Sequence, residues 1–157
     1  LTLADIRGVF EHSPWVAERA WKSGPFRSID ALHGTMMQVV SEASVEEQLA
    51  LIRAHPELAG REAKEGSLTA DSSGEQARLG FTALSGEEFR KMAELNARYR
   101  EKFGFPCVVA LRLHATRQSV MEAMQKRIHN DEKVELRTAL EQIGHITRGR
   151  LEKLWAG

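Results

Sequence analysis

The stretch NDEKVELRTALEQIGHITRGRLEKL, Asn130 to Leu154, decides how the chain is read. Leu136, Leu140, Ile143, Ile146, Leu151 and Leu154 recur at helical steps and form an apolar seam on an otherwise charged segment. A helix is therefore predicted over Asp131 to Trp155. The same period governs most of the chain before it. A short helix is predicted around Leu3, Ile6, Val9 and Phe10, and a second from Ser13 as N-cap and Pro14 as first helical residue to Trp21. A third spans Ile29 to Ser41, and a fourth opens at the capping box Ser44-Val-Glu-Glu47. Another box, Ser85 to Glu88, starts a long helix through Phe89, Met92, Leu95 and Tyr99 to Lys102, and a helix over Thr116 to His129 precedes the last. The expectation is an all-α, single-domain bundle, residues 1–157, of about seven to eight helices. Two segments resist that period: the glycine-punctuated stretch Gly60 to Gly80, and KFGFPCVVALRL, Lys102 to Leu113. These are read as irregular loops that build a site.

Composition narrows the function classes. With 157 residues, 42% of them hydrophobic, the chain has material for one packed core. Basic and acidic residues balance at 22 each, so no positive field points to nucleic acid. The single cysteine, Cys107, excludes an internal disulfide and fits a reducing compartment. No apolar run is long enough for a membrane span, and no signal peptide or Ser-Lys-Leu terminus is seen, so a cytoplasmic protein is expected.

Three places could carry chemistry. In RAHPELAG, Arg53 to Gly60, Pro56 must end a helix directly after His55. His55 is either a cap or solvated group, or an imidazole held at a pocket edge to move protons. In Ser72-Ser73-Gly74-Glu75-Gln76, Ser72 and Glu75 have capping-box spacing. Such a box is a helix start and nothing more, or a helix start whose free N–H groups bind an anion beside the Gln76 amide. Arg148 and Arg150 lie two apart on a helix, so at most one faces a given pocket. The six histidines show no metal-binding spacing, and no cofactor motif is present. Cys107 reads best as a small buried hydrophobe.

Taken in order, HPELAG, SSGEQ, LNARYREKFGFPCVVAL and the final stretch quoted above resemble the 2-oxo-4-hydroxy-4-carboxy-5-ureidoimidazoline (OHCU) decarboxylases. The resemblance covers about Leu1 to Leu154. It implies an all-α enzyme of urate catabolism that needs no metal or other cofactor, releases CO2 from OHCU to give (S)-allantoin, and pairs as a homodimer. It places His55 at the catalytic acid/base and Glu75 at the catalytic glutamate. Pro56, Ser72, Ser73, Gly74 and Gln76 fall at substrate-binding positions, as do Cys107, Val108, Val109, Ala110 and Leu111, whose contacts are largely backbone, and Arg150 in preference to Arg148. Cys107 stands where the family more often has Phe. Gly149 replaces a larger apolar residue, costs about 1 kcal/mol of helix propensity, and is expected to loosen the support of the arginine. Phe105 and Val108 or Val109 are either core or an apolar wall beside the leaving carboxylate. The competing readings are a non-catalytic helical interaction module and a cofactor-free lyase or hydrolase of another ureido compound.

Overall fold

In the computed structural model, which describes residues 1–156, the long helix of the final stretch runs from Glu132 to Ala156. Asp131 starts it, its carboxylate accepting the Val134 N–H at 2.8 Å. Eight α-helices precede it: α1 Leu3–Ile6, α2 Trp15–Trp21, α3 Ile29–Glu42, α4 Val45–Arg53, α5 Arg61–Glu65, α6 Ala70–Arg78, α7 Gly86–Phe103 and α8 Arg117–Arg127. The last is α9, and a 3-10 turn, Leu111–Leu113, lies between α7 and α8. The fold is all-α, as expected, with no strand among the described residues.

One connected cluster of buried apolar side chains runs from Ile6 to Leu151, and α9 lies through it against α3 and α4. Ala139, Ile143, Ile146 and Leu151 are buried, and Leu136 and Leu140 pack on the cluster's edge. Leu154 does not belong to the seam: it is exposed, in the last turn beyond the core.

Three further expectations change. The first helix ends at Ile6, before Val9 and Phe10, which are buried in the turn that follows. Pro14, not Ser13, precedes the first residue of α2. The Ser13 hydroxyl instead donates to the Glu11 carbonyl at 3.0 Å. Gly60 to Gly80 is not a loop: it forms α5 and α6, capped by Gly60 and Thr69. Thr69 accepts the Ser72 N–H, so Ser72 and Glu75 lie inside α6 and free their side chains for other partners.

KFGFPCVVALRL is irregular, as predicted. Gly104 ends α7 with φ of 75°, a left-handed conformation that glycine takes without penalty. The chain then runs extended to the 3-10 turn, which packs against both α6 and α9. Arg127 on α8 braces this run, donating to the Val108 carbonyl at 2.5 Å while ion-paired to the fully buried Glu135. The Tyr99 hydroxyl donates to the same carboxylate.

Candidate active site

The His-Pro stretch, α6, the extended run and α9 converge on one small pocket. His55, Pro56, Leu58, Ser72, Glu75, Gln76, Cys107, Val108, Val109, Leu111, Ile146 and Arg150 line a void of about 30 Å3, room for little more than a water molecule. Glu75, Leu111 and Ile146 also line an outer cleft of about 450 Å3, bordered by Gly74, Arg78 and Lys153. They form the partition between void and cleft.

His55 is placed by its neighbours on the chain. Its N–H closes the end of α4 onto the Ile52 carbonyl at 3.1 Å, and Pro56 lets the helix go no further. The chain beyond is pinned from both sides. The Gln76 side chain accepts the Ala59 N–H at 3.0 Å and donates to the Glu57 carbonyl at 3.3 Å, while Asn96 donates to the Leu58 carbonyl at 2.8 Å. Gln76 thus lines the pocket with its amide already spent on this loop. Gln76→Leu would orphan the buried Ala59 N–H at a cost of about 1–3 kcal/mol. The expected fall in Tm is roughly 2–4 °C per kcal/mol for a chain of this size; an unchanged melting curve would show the loop does not depend on Gln76.

The imidazole is buried and its Nε2 has no hydrogen-bond partner among the described residues. Burial, then the charge of Arg150, pushes the His55 pKa down to about 4 against an ordinary 6.5, with Glu11 acting in the opposite sense. His55 is therefore neutral at neutral pH and able to accept a proton. Stability should follow. Between pH 6.5 and 4 the unfolded chain binds a proton that the folded chain refuses, so stability falls with acidification across that window. The full effect is up to roughly 3 kcal/mol. Urea midpoints measured from pH 7 to 4 should show this slope in the wild type and a shallower one in His55→Gln; parallel slopes would contradict the burial of a neutral His55.

Glu75 does not rest on His55. It makes a two-pronged ion pair with Arg150, Oε2 to Nε at 2.9 Å and Oε1 to Nη2 at 2.8 Å. Arg150 is buried and also donates to the Val9 carbonyl and to Glu11, each at 3.1 Å, and to the Ser72 hydroxyl at 3.2 Å. Arg148, on another face of α9, pairs outside with Asp30 at 2.5 Å and with Glu152 at 3.1 Å. Gly149 lies between these two arginines on α9. A Cβ there would lie 2.8 Å from the Arg112 side chain, and the missing Cβ lets Arg112 cross α9 to pair with Glu152.

Sequence reading missed Glu11. Its carboxylate is buried and accepts from Thr69 at 2.9 Å, from the Ser72 hydroxyl and from Arg150. Burial pushes its pKa up, but Ser72, Arg150 and Thr69 outweigh this and hold it below the ordinary carboxylate value.

Other expected positions divide. Ser73 is exposed and lines neither space, and Gly74 faces only the outer cleft. Cys107 lines the void with a thiol that burial pushes up to about 12, so it stays protonated. Ala110 is buried without lining the void; its N–H donates to Gln142 at 2.8 Å. The N–H groups of Val109 and Leu111 have no hydrogen-bond partner among the described residues. Val108 and Val109 line the void, but Phe105 packs on Tyr99 and Phe103.

Comparison with known proteins gives this geometry a family. The family model for OHCU decarboxylase matches residues 2–152. The chain belongs to the OHCU decarboxylase family. It is 42% identical over 143 residues to the 2-oxo-4-hydroxy-4-carboxy-5-ureidoimidazoline decarboxylase of Haloferax volcanii, a match covering 91% of this chain and 82% of that one. The mouse protein of the same name is 36% identical over 151 residues, 96% of this chain and 84% of its own. Among solved structures, an OHCU decarboxylase crystallised in the presence of (S)-allantoin superposes with a TM-score of 0.78 at 25% identity, covering 98% of this chain and 99% of that one. Among the described residues of this OHCU decarboxylase family member, no group of three or more His, Cys, Asp or Glu side chains is arranged to hold a metal ion. No helix among them is long and apolar enough to cross a membrane.

Proposed function

We propose that this chain decarboxylates OHCU to (S)-allantoin in urate catabolism, and that the pocket at His55 is where CO2 leaves. The observation that carries the site assignment is a neutral, buried imidazole with a free Nε2 in the same pocket as an arginine fork. In OHCU the carboxylate sits on a carbon that also bears a hydroxyl, next to an imine carbon of the ring. When the C–CO2 bond breaks, its electron pair forms a carbon–carbon double bond and the imine pair moves to nitrogen, which takes a proton. His55 accepts the hydroxyl proton, the enol collapses to the ring carbonyl, and the carbon bearing the ureido group is protonated on one face. The ring itself holds the electrons, so the protein supplies orientation and proton traffic.

The void is too small for this substrate until its partition moves. Glu75 is 24% exposed while Arg150 is 2% exposed, so Glu75 is the mobile partner. In this reading the substrate carboxylate enters from the outer cleft and takes the Nε and Nη2 edge of Arg150, releasing Glu75 toward His55. The N–H groups of Val109 and Leu111 receive the carbonyl oxygens. Val108 and Val109 keep water from the departing carboxylate. Pro56, Ser72 and Cys107 complete the lining. A homodimer belongs to the same reading, and light scattering of the purified chain tests it.

The direct test is to add the protein to OHCU freshly generated from urate and follow its ultraviolet absorbance. Decay well above the spontaneous rate is expected. Decay at the spontaneous rate would overturn the assignment and leave a binding module.

A further inference from the structure

We propose that Glu11 is a positioning residue of the decarboxylation site: from the buried side it neutralises the Nη1 edge of Arg150, so that the guanidinium keeps a counter-charge when Glu75 leaves it. This rests on the reading of the pocket given above. The two carboxylates on Arg150 are not equivalent. Glu11 contacts Nη1, the nitrogen that also donates to the Val9 carbonyl. Glu75 occupies the Nε and Nη2 edge. Glu11 is 2% exposed against 24% for Glu75. Its carboxylate is further fixed by the hydroxyls of Thr69 and Ser72. Its backbone carbonyl accepts from Ser13, and His12 follows with φ of 48°, a left-handed turn that sends the chain away toward α2. Glu11 is therefore built in, whereas Glu75 is held only by the group it shares.

A second, permanent counter-charge has a kinetic consequence. Decarboxylation disperses the charge of the carboxylate as it becomes CO2. An arginine that grips that carboxylate too strongly stabilises the ground state over the transition state and slows the step. Glu11 keeps the Nη1 side of Arg150 neutralised and so tempers its hold on whatever sits on the other edge. The remaining acid near the guanidinium, Asp71 at 4.0 Å, is 48% exposed and too well hydrated to substitute.

The test is steady-state kinetics of Glu11→Gln and Glu11→Asp on OHCU, with melting curves for both. Glu11→Gln keeps the size and, with its oxygen toward Arg150, that hydrogen bond; it removes the charge and turns the other oxygen into an NH2 donor, which the Ser72 hydroxyl meets by accepting. At least a tenfold loss of kcat is expected, with KM unchanged or lower, because Arg150 then binds the substrate carboxylate more tightly. Glu11→Asp restores the charge and should recover part of kcat. General damage to the pocket would raise KM instead. A raised KM with kcat within twofold of wild type, or Glu11→Asp no better than Glu11→Gln, would overturn the proposal. Should Glu11→Gln not fold, Glu11→Asp decides: reduced kcat at unchanged KM supports it, and raised KM at unchanged kcat overturns it. Wild-type protein that leaves OHCU untouched would remove the site reading and this role with it; active wild type with the contrary mutant pattern removes only the role of Glu11.

Discussion

His55→Gln should lose about 10^2–10^4 of kcat on OHCU, the range a positioned acid or base contributes, while its helical circular dichroism stays at the wild-type level. The reason is that His55 does little for the fold. Its backbone N–H closes α4 whatever side chain follows, and Pro56 stops the helix in either variant. The Nε2 has no partner to lose. Glutamine fills much of the same space and can hydrogen-bond to substrate, but it takes up no proton at neutral pH. The variant should therefore bind and not turn over, with KM changed much less than kcat. Turnover within a few-fold of wild type would remove His55 from the proton path.

Arg150→Met should be both inactive and much less stable. Methionine follows the arginine stem but leaves Glu11 as a buried carboxylate without its cation, and breaking a buried pair in this way costs about 3–5 kcal/mol. Chemical denaturation of the purified variant measures that loss. The double variant Glu11→Gln with Arg150→Met should recover a good part of it, since no bare charge is then left in the interior. Both should fail to turn over OHCU, because the edge that receives the carboxylate is gone. Wild-type stability in Arg150→Met would mean that the Glu11–Arg150 pair is not buried as described. Arg150→Lys should not rescue activity, since an ammonium cannot offer the two-pronged Nε and Nη2 edge.

Much of the bundle was legible because local signals and burial agree. The Ser44 and Ser85 boxes start α4 and α7 where they were expected, with Glu47 and Glu88 bonding back to the capping serines. His-Pro and Gly104 mark helix ends for local steric reasons that sequence displays directly. Gly60 to Gly80 was misread because its helices are short and polar, with an apolar pattern too thin to show a period. The Ser72 and Glu75 spacing imitates a cap, and only the partners of those side chains show otherwise: Thr69 does the capping, and Arg150 takes both residues.

The site was half legible. Residues on the His-Pro stretch, α6 and the FGFP run stood out as breaks in the helical pattern. Glu11 did not, because a glutamate in a short polar turn looks solvated. Nothing in the order of residues shows that it is buried against an arginine 139 positions away. Arg127 was missed for the same reason: its task is to hold the Val108 carbonyl from another helix.

The most direct measurement is the optical activity of the allantoin formed when OHCU, freshly made from urate, meets wild-type protein and His55→Gln in parallel. Wild type should give a circular dichroism signal of (S)-allantoin that rises with enzyme concentration, and His55→Gln should give the racemic product of the spontaneous reaction. Racemic allantoin from wild type, or an equal (S) excess from His55→Gln, would contradict a decarboxylation site built on His55.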